Sequence, residues 1–270
     1  GEWKTMDRRS ETIDVRGESP VEFTIDQTVH GPVVSREGRC ISLQWTGLGP
    51  TTEIIGFWEM NHARNLKEWL AAADKCVVPA INLAYADADG HIAMHPCGTL
   101  PKRLPGQGRV PLDGASGDHD WTEMIPRDEL PLAVDPPEHY VASANDRPAA
   151  SGYPHYLGWM WDANYRVRRI HEMLADASDL TVDEMRALQL DRQDKAAERF
   201  LPGLLDSLRE PALTDRLERR AAGELRSWDY GAGTDSLAPV IWMRWLDLYR
   251  GAVWDDEWKS RGLKQPSGSW

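Results

Sequence analysis

Residues 82–92 read NLAYADADGHI, and this stretch decides the fold of the first half of the chain. The apolar residues Leu83 and Tyr85 alternate with other residues up to an Asp-Gly step, and Ile92 resumes the alternation after it. Alternation with a period of two is typical of a half-buried β-strand, and an Asp-Gly step between two such runs is typical of a tight turn. The stretch therefore predicts an antiparallel hairpin whose turn needs a positive φ at Gly90.

Further strands are predicted on both sides of this hairpin. Ile13 and Val15 alternate with polar residues before a first Gly/Pro break, residues 21–25 do so before a second, and residues 41–45 repeat the alternation. This pattern predicts an antiparallel meander with one buried face. Downstream, after a long loop rich in Pro, Gly and Asp, the small residues at 140–144 predict one more short strand.

Helical periodicity appears once before the hairpin and then dominates the end of the chain. Residues 60–73 predict a single helix, with Asn61 or Asn65 as its N-cap. Beyond Tyr153 apolar stripes and a capping box predict five more helices, at residues 165–175, 181–188, 200–208, 217–225 and 240–249. The expected organisation is a mostly antiparallel β portion, residues 1–158, followed by a mainly helical portion, residues 159–270.

Composition and charge exclude several classes of protein. The 270 residues include 31 Lys and Arg against 43 Asp and Glu, a net charge of −12, and no basic stripe stands out. An acidic chain is repelled by phosphate backbones, so a nucleic-acid partner is not expected. No apolar run is long enough for a membrane span, so a membrane partner is not expected either. The three cysteines, Cys40, Cys76 and Cys97, lack metal-site spacing and are expected to pack as small buried hydrophobes.

The chain shows no self-contained nucleophile. No serine lies in a G-x-S-x-G context, and neither a phosphate-binding loop nor a dinucleotide fingerprint is present. A metal-dependent hydrolase is one alternative, because His91 and His95 would share a face of one strand and Asp118 lies in the following loop, beside His119 and Asp120. Another is a non-catalytic interaction or ligand-binding domain, because 13 Trp against 3 Phe is an unusual surplus.

Asn145 and Arg166 are the candidate site residues. Asn145 follows the small-residue run and could point an amide N–H at a developing oxyanion, or it could cap a turn before Pro148. Arg166 is expected on the buried face of its helix, near Val167 and Ile170, where it could position a substrate carboxylate or a neighbouring polar group. An ion pair on the helix surface, with Asp162 or Glu172, is the alternative for Arg166.

Several segments together resemble the penicillin acylase family of N-terminal nucleophile hydrolases. Residues 30–34, HGPVV, look like the HGPV segment of the family, and residues 82–92 look like its N-x-x-YAD-x-x-G-x-I hairpin. Residues 144–148, ANDRP, and 165–170, YRVRRI, continue the series in the same order. The resemblance runs from roughly Thr12 to Leu208.

The resemblance implies a fold, a reaction and two residue roles. The fold would be α+β, a partial αββα sandwich with antiparallel sheets followed by a helical region. The reaction would be hydrolysis of the amide of an N-acylated amine, of the penicillin, cephalosporin or acyl-homoserine lactone type. The nucleophile would be an N-terminal Ser with its own α-amino group as base. By motif, Asn145 would hold the oxyanion, and Arg166 would orient Asn145 and that amino group.

The chain departs from the family pattern in two places, and each departure leads to an expectation. The family nucleophile lies far upstream of the HGPV segment, whereas His30 lies close to Gly1, so the chain is expected to be an internal piece of the large subunit, inactive alone. Its partners would then be the upstream nucleophile segment, the small subunit and an acyl-amide substrate, in a periplasmic or secreted enzyme. No cofactor is implied. A calcium-binding carboxylate of the family is expected after Tyr153-Pro154, but residues 155–157 are His, Tyr and Leu, so no metal is assigned.

Overall fold

The computed structural model describes residues 3–36, 38–208, 213 and 215–263, and these divide into two compact units. Unit 1 comprises Gly1–Ser143 and Arg147–Trp161, and unit 2 comprises Ala144–Asp146 and Asp162–Trp270. Residues 144–146 and the segment from Asp162 onward therefore belong together, although Arg147–Trp161 of unit 1 lies between them in the sequence. This arrangement brings both candidate site residues into unit 2.

Unit 1 begins with the predicted meander. Its four strands pair in the order β1-β2-β3-β4, antiparallel throughout. The strands are β1 Asp7–Ile13, β2 Val21–Thr28, β3 Gly31–Ser35 and β4 Ile41–Ser42. The expected buried face is wrong, because its apolar residues Ile13, Val21 and Phe23 are 53%, 52% and 39% exposed.

The segment predicted as one helix over residues 60–73 contains the end of one helix and the whole of another. Helix α1 spans Glu53–Met60 and α2 spans Leu66–Ala73. Asn65 separates them because it has an extended backbone and accepts a hydrogen bond from the Glu68 amide at 2.9 Å, as an N-cap does. An N-cap residue has non-helical dihedrals, so a helix cannot continue through it.

The predicted hairpin is confirmed. Strands β5 Ile81–Ala86 and β6 Ile92–Cys97 pair antiparallel, and β7 Ala133–Val134 adds to β6. Asp87 holds the turn, since its carboxylate accepts from the amides of Asp89 and His91 at 3.0 and 2.9 Å. Gly90 has the expected positive φ of 92°. The carboxylate is thus used by the turn itself, as a hairpin requires.

The short strand expected at residues 140–144 is absent. The amide of Ala144 is bonded to Oδ1 of Asp146 at 2.8 Å, and Asn145 adopts a left-handed conformation with φ 61°. A side-chain acceptor two residues away competes with a sheet for the backbone amide. The run of small residues was therefore a misleading signal, because the polar residues after it decide the local conformation.

Unit 2 contains the five predicted helices, α3 to α7. They span Tyr165–Leu174, Val182–Gln189, Lys195–Ser207, Arg216–Arg226 and Ala238–Ser260. The predicted capping box of Thr181 and Glu184 opens α4. The core of the unit lies between α5, α6 and α7 and is formed by Ala197, Leu201, Leu225, Trp228, Ala238 and Trp242. Among the described residues, no helix is both long and apolar enough to traverse a lipid bilayer.

The cysteines follow the prediction in two cases of three. Cys76 and Cys97 are buried, and burial raises the pKa of the Cys76 thiol to about 11. Cys40 is exposed, contrary to expectation. It directly precedes the two-residue strand β4, at the edge of the meander, where little packs around it.

Asp26 is the buried charge of the meander. It lies on β2, is only 2% exposed, and accepts hydrogen bonds from Nε and Nη2 of Arg8 on β1 at 2.6 and 3.1 Å. The Arg36 guanidinium, just after β3, contacts the same carboxylate. The hydrogen bond from Arg8 is the largest cause of a fall in the pKa of Asp26 to about 2. One carboxylate thus joins the first three strands of the sheet.

We predict that Asp26→Asn lowers Tm by roughly 2–4 °C at neutral pH, because both arginines lose a charged partner. A carboxyl whose pKa is lowered by folding contributes stability above its ordinary pKa of 3.8 and loses it as the pH falls towards about 2. The Tm difference between wild type and variant should therefore shrink over that range in thermal melts.

The control is Glu11→Gln, which removes the exposed ion pair of Glu11 with Arg9 on β1 and should leave Tm nearly unchanged. A Tm difference for Asp26→Asn that is the same at about pH 2 as at neutral pH would contradict the assignment.

Candidate functional site

Asn145 is held by its backbone in an uncommon conformation. Its φ of 61° lies in the left-handed region, which Asn tolerates better than most residues. Its carbonyl oxygen accepts a hydrogen bond from the amide of Asp162 at 2.9 Å. The turn before Pro148 is capped by Asp146 rather than by Asn145, because Asp146 Oδ1 accepts from the Ala144 amide. The side chain of Asn145 is thus not used in capping this turn.

Arg166 contacts that side chain directly. It lies in the first turn of α3, and its Nη2 donates to Oδ1 of Asn145 and to the carbonyl oxygen of Ala144, both at 2.9 Å. Its Nε donates to Oδ2 of Asp162 at 3.0 Å, and Nη2 also reaches that oxygen. Both interpretations of Arg166 therefore hold. It forms an ion pair with Asp162, and it contacts a neighbouring polar group, the side chain of Asn145.

Two details of the expectation for Arg166 are corrected. The Arg166 side chain is 58% exposed, whereas the adjacent Val167 takes the buried position on the helix. Glu172, the other possible partner, instead contacts Arg169 at 3.5 Å and Lys195 at 3.0 Å. The periodicity places Arg166 close to the apolar stripe of α3, but its guanidinium lies outside this stripe and contacts residues 144, 145 and 162.

The contact with Arg166 orients the Asn145 amide. A guanidinium only donates hydrogen bonds, so the Asn145 atom that faces it must be the oxygen. The amide nitrogen, with its two hydrogens, then points away from Arg166. Asn145 is exposed, so this N–H donor is accessible to an acceptor brought by another molecule or chain segment. A fixed amide donor is the group that stabilises a tetrahedral oxyanion.

The alternative metal cluster is not assembled. His91 Nδ1 lies 2.8 Å from Oδ2 of Asp135, which raises the pKa of His91, and His95 Nδ1 lies 3.4 Å from the Pro131 carbonyl oxygen. Within the described ranges, no three His, Cys, Asp or Glu residues come together as ligands, so Asp118 does not join the two histidines. The spacing of four residues would place both histidines on one face of a strand. However, His91 is exposed at the turn, whereas His95 is buried.

The segment after Tyr153-Pro154 lacks the calcium-binding carboxylate that the resemblance implies there. In the segment after Tyr153-Pro154, the ring of Tyr156 lies beneath the guanidinium of Arg103, with 5.7 Å between Cζ and the ring centroid. A guanidinium over an aromatic face is a cation–π contact, and its charge opposes a second cation nearby. Residues 155–157 supply no carboxylate, so nothing in this segment can bind calcium as an anionic oxygen ligand.

The HGPV segment requires glycine at position 31 for steric reasons. Gly31 has a φ of 137°, and a Cβ at this position would lie 2.1 Å from the carbonyl oxygen of Leu43. His30 Nε2 lies 3.1 Å from the carbonyl oxygen of Gly114. The motif therefore allows close passage of two backbone segments and connects the meander to the long loop of unit 1.

The sequence pattern indicates Asp162 only as one of two possible ion-pair partners of Arg166. The structure gives it two contacts, one through its carboxylate to Arg166 and one through its amide to Asn145. The four-residue spacing of Asp162 and Arg166 was the available signal. The contact with Asn145 had no local signal, because a segment of unit 1, Arg147–Trp161, lies between the two positions in the sequence.

The chain belongs to the penicillin amidase family, whose model matches residues 1–269. It is 29% identical to the acyl-homoserine lactone acylase QuiP of Pseudomonas fluorescens strain Pf-5, over 84% of this chain and 29% of the relative. It is 30% identical to the penicillin G acylase of Escherichia coli, over 85% and 28%. The chain thus spans less than a third of the length of these two curated relatives.

A solved structure shares the fold. The thermostable penicillin G acylase from Alcaligenes faecalis superposes with a TM-score of 0.69 at 28% identity, covering 86% of this chain and 43% of that one. This likeness confirms the predicted α+β class with antiparallel sheets, the fold of an N-terminal nucleophile hydrolase. Another relative, from Pseudomonas sp. strain SE83, is named penicillin acylase 2 proenzyme and is 30% identical over 70% of this chain and 25% of the relative.

We predict that Gly31→Ala destabilises the protein strongly, with a Tm loss well above that of a typical turn glycine. The new Cβ must displace the Leu43 backbone in addition to straining φ, and backbone gives way less easily than a side chain. Thermal melting of the purified variant measures the effect.

The matched control is Gly17→Ala, in the turn between β1 and β2. Gly17 also has a positive φ, of 84°, but a Cβ there meets no atom within 4 Å. Gly17→Ala is therefore expected to cost only the strain of a positive φ, with no steric overlap. Equal Tm losses for the two variants would show that the close approach to Leu43 is not what Gly31 is needed for.

Proposed function

We propose that this chain is part of an amidohydrolase that cleaves the amide bond of N-acylated amines, with Asn145 as an oxyanion donor. The observation that supports this most is the 2.9 Å contact of Arg166 Nη2 with Asn145 Oδ1, which turns the amide N–H groups outward. Membership of the penicillin amidase family supports the same reaction. The substrates would be N-acyl compounds of the penicillin, cephalosporin or acyl-homoserine lactone type.

The nucleophile in this proposal is an N-terminal Ser that lies outside this chain, and its own α-amino group is the base. The Ser oxygen bonds to the substrate carbonyl carbon as the α-amino group takes the Ser proton, and the carbonyl oxygen becomes an oxyanion. The Asn145 N–H donates to this oxyanion, and the acyl-enzyme forms as the C–N bond breaks and the amine leaves with the proton that the α-amino group had taken. Water then hydrolyses the ester through a second oxyanion, which the same N–H stabilises.

Arg166 would hold the donor ready between these steps. Its guanidinium can only donate hydrogen bonds, so the atom of the Asn145 amide that faces Arg166 is the oxygen. The partners of the chain would be the upstream segment that carries the nucleophile and the small subunit. A periplasmic or secreted location is part of the same proposal.

In the complete acylase, we expect Asn145→Ala to lower kcat by roughly 100- to 1000-fold with little change in KM. An oxyanion donor contacts the transition state more strongly than the substrate, so its loss appears in kcat. Hydrolysis of a chromogenic phenylacetyl amide measures both constants.

The control is Asn164→Ala, which should keep kcat close to that of wild type. Asn164 is also left-handed, with φ 65°, and lies just before α3, but its side chain makes no capping hydrogen bond. The two variants therefore share the backbone cost of replacing a left-handed Asn. If Asn145→Ala keeps wild-type kcat, the proposed role of Asn145 is wrong and a non-catalytic role of this segment is favoured.

The chain alone is expected to be inactive. Without the Ser nucleophile the oxyanion donor has no tetrahedral intermediate to stabilise. Incubating the isolated 270-residue chain with the same chromogenic amide should give the background rate. Hydrolysis above background that Asn145→Ala abolishes would show that the chain contains its own nucleophile.

A further inference from the structure

We infer that Asp162 is a positioning residue of this site, which holds Arg166 against the side-chain oxygen of Asn145 and at the same time fixes the Asn145 backbone. The inference rests on the proposed function, because it assigns Asp162 a role in the same oxyanion site. It concerns a residue outside the two motif segments of residues 144–148 and 165–170.

The contacts of Asp162 reach both site residues. Its Oδ2 accepts from Arg166 Nε at 3.0 Å and also from Nη2, the nitrogen that reaches Asn145. Its backbone amide donates to the carbonyl oxygen of Asn145 at 2.9 Å. Asp162, Arg166 and Asn145 therefore close a ring of hydrogen bonds, in which each residue contacts the other two.

This arrangement is not an ordinary ion pair on a helix. Pairs four residues apart are close neighbours when both lie on the helix, but α3 begins at Tyr165, and Asn164 before it is left-handed. Asp162 therefore reaches Arg166 from the segment that leads into α3. Its side chain is 28% exposed against 58% for Arg166, so the carboxylate is the more enclosed partner.

The ion pair of Asp162 and Arg166 is expected to contribute little to the stability of the protein but much to the orientation of the Arg166 side chain. Exposed ion pairs contribute little to folding free energy, since water screens the charges and two long side chains lose freedom. An arginine without a fixed partner samples several rotamers. An Asn amide can rotate so that its oxygen and nitrogen exchange places at little steric cost, and it would then present an acceptor to the oxyanion. Holding Arg166 in place prevents that rotation.

The test is Asp162→Asn in the complete acylase, which removes the charge and keeps the shape. We expect kcat to fall roughly tenfold, with KM within about twofold and Tm nearly unchanged. Asp162→Glu, which restores the carboxylate, should recover part of kcat. The matched control is Asp183→Asn on α4, which removes another exposed Asp–Arg pair, that of Asp183 Oδ1 with Arg186 Nη1 at 2.9 Å, and should leave kcat unchanged.

A double-mutant cycle shows whether Asp162 acts through Arg166. In an Arg166→Ala background the substitution Asp162→Asn should lower kcat little further, because the group that it orients is gone. A wild-type kcat for Asp162→Asn overturns the inference. So does a tenfold loss that is as large in the Arg166→Ala background as in wild type.

A second measurement separates this inference from the proposed function. In NMR spectra of the ¹⁵N-labelled protein, the Arg166 Nε–H signal should be resolved in wild type and in Asp183→Asn, and lost to solvent exchange in Asp162→Asn. If wild type does not hydrolyse acyl amides, the proposed function is wrong, but this signal still reports whether Asp162 orders Arg166. An Arg166 signal unaffected by Asp162→Asn overturns the positioning role.

Discussion

Arginine only donates hydrogen bonds, and in this protein that property orients Asn145. Because Arg166 Nη2 lies 2.9 Å from the Asn145 side chain, the facing atom is Oδ1, and the amide hydrogens point outward. Asn145 has a left-handed backbone, and its carbonyl oxygen accepts a hydrogen bond from the amide of Asp162. A residue in a sparsely populated conformation persists only where its surroundings hold it, and such residues are often found at functional sites.

Carboxylates organise the local structure of both units in a similar way. In unit 1, Asp87 accepts the amides of the hairpin turn and Asp26 joins the first strands through Arg8. In unit 2, Asp146 bends the chain before Asn145, and Asp162 binds Arg166. In each case an anionic acceptor takes donors that would otherwise need water. The excess of acidic residues, which gives the chain its net charge of −12, thus includes several with defined structural partners.

A local pattern predicts the structure of this chain correctly where the residues that decide the conformation lie close together in the sequence. The hairpin at Gly90 and the capping box at Thr181 were predicted correctly because the residues that decide them lie within a few positions. The single helix predicted over residues 60–73 is wrong because Asn65, with its extended backbone, is the N-cap of a separate helix that begins at Leu66. The strand predicted at residues 140–144 is wrong, and at its end the Ala144 amide donates to Oδ1 of Asp146 instead of to a neighbouring strand.

The sequence by itself determined the hairpin at Gly90, the five helices of unit 2, the turn chemistry and the family resemblance, because these depend on short periodicities and motifs. It also named Asn145 and Arg166, each with an alternative role. Only the tertiary structure decided that these two residues touch and that Asp162 contacts both, because the chain passes through Arg147–Trp161 of unit 1 between the two segments. A contact between two segments that are separated in this way depends on the path of the backbone, which no local sequence pattern encodes.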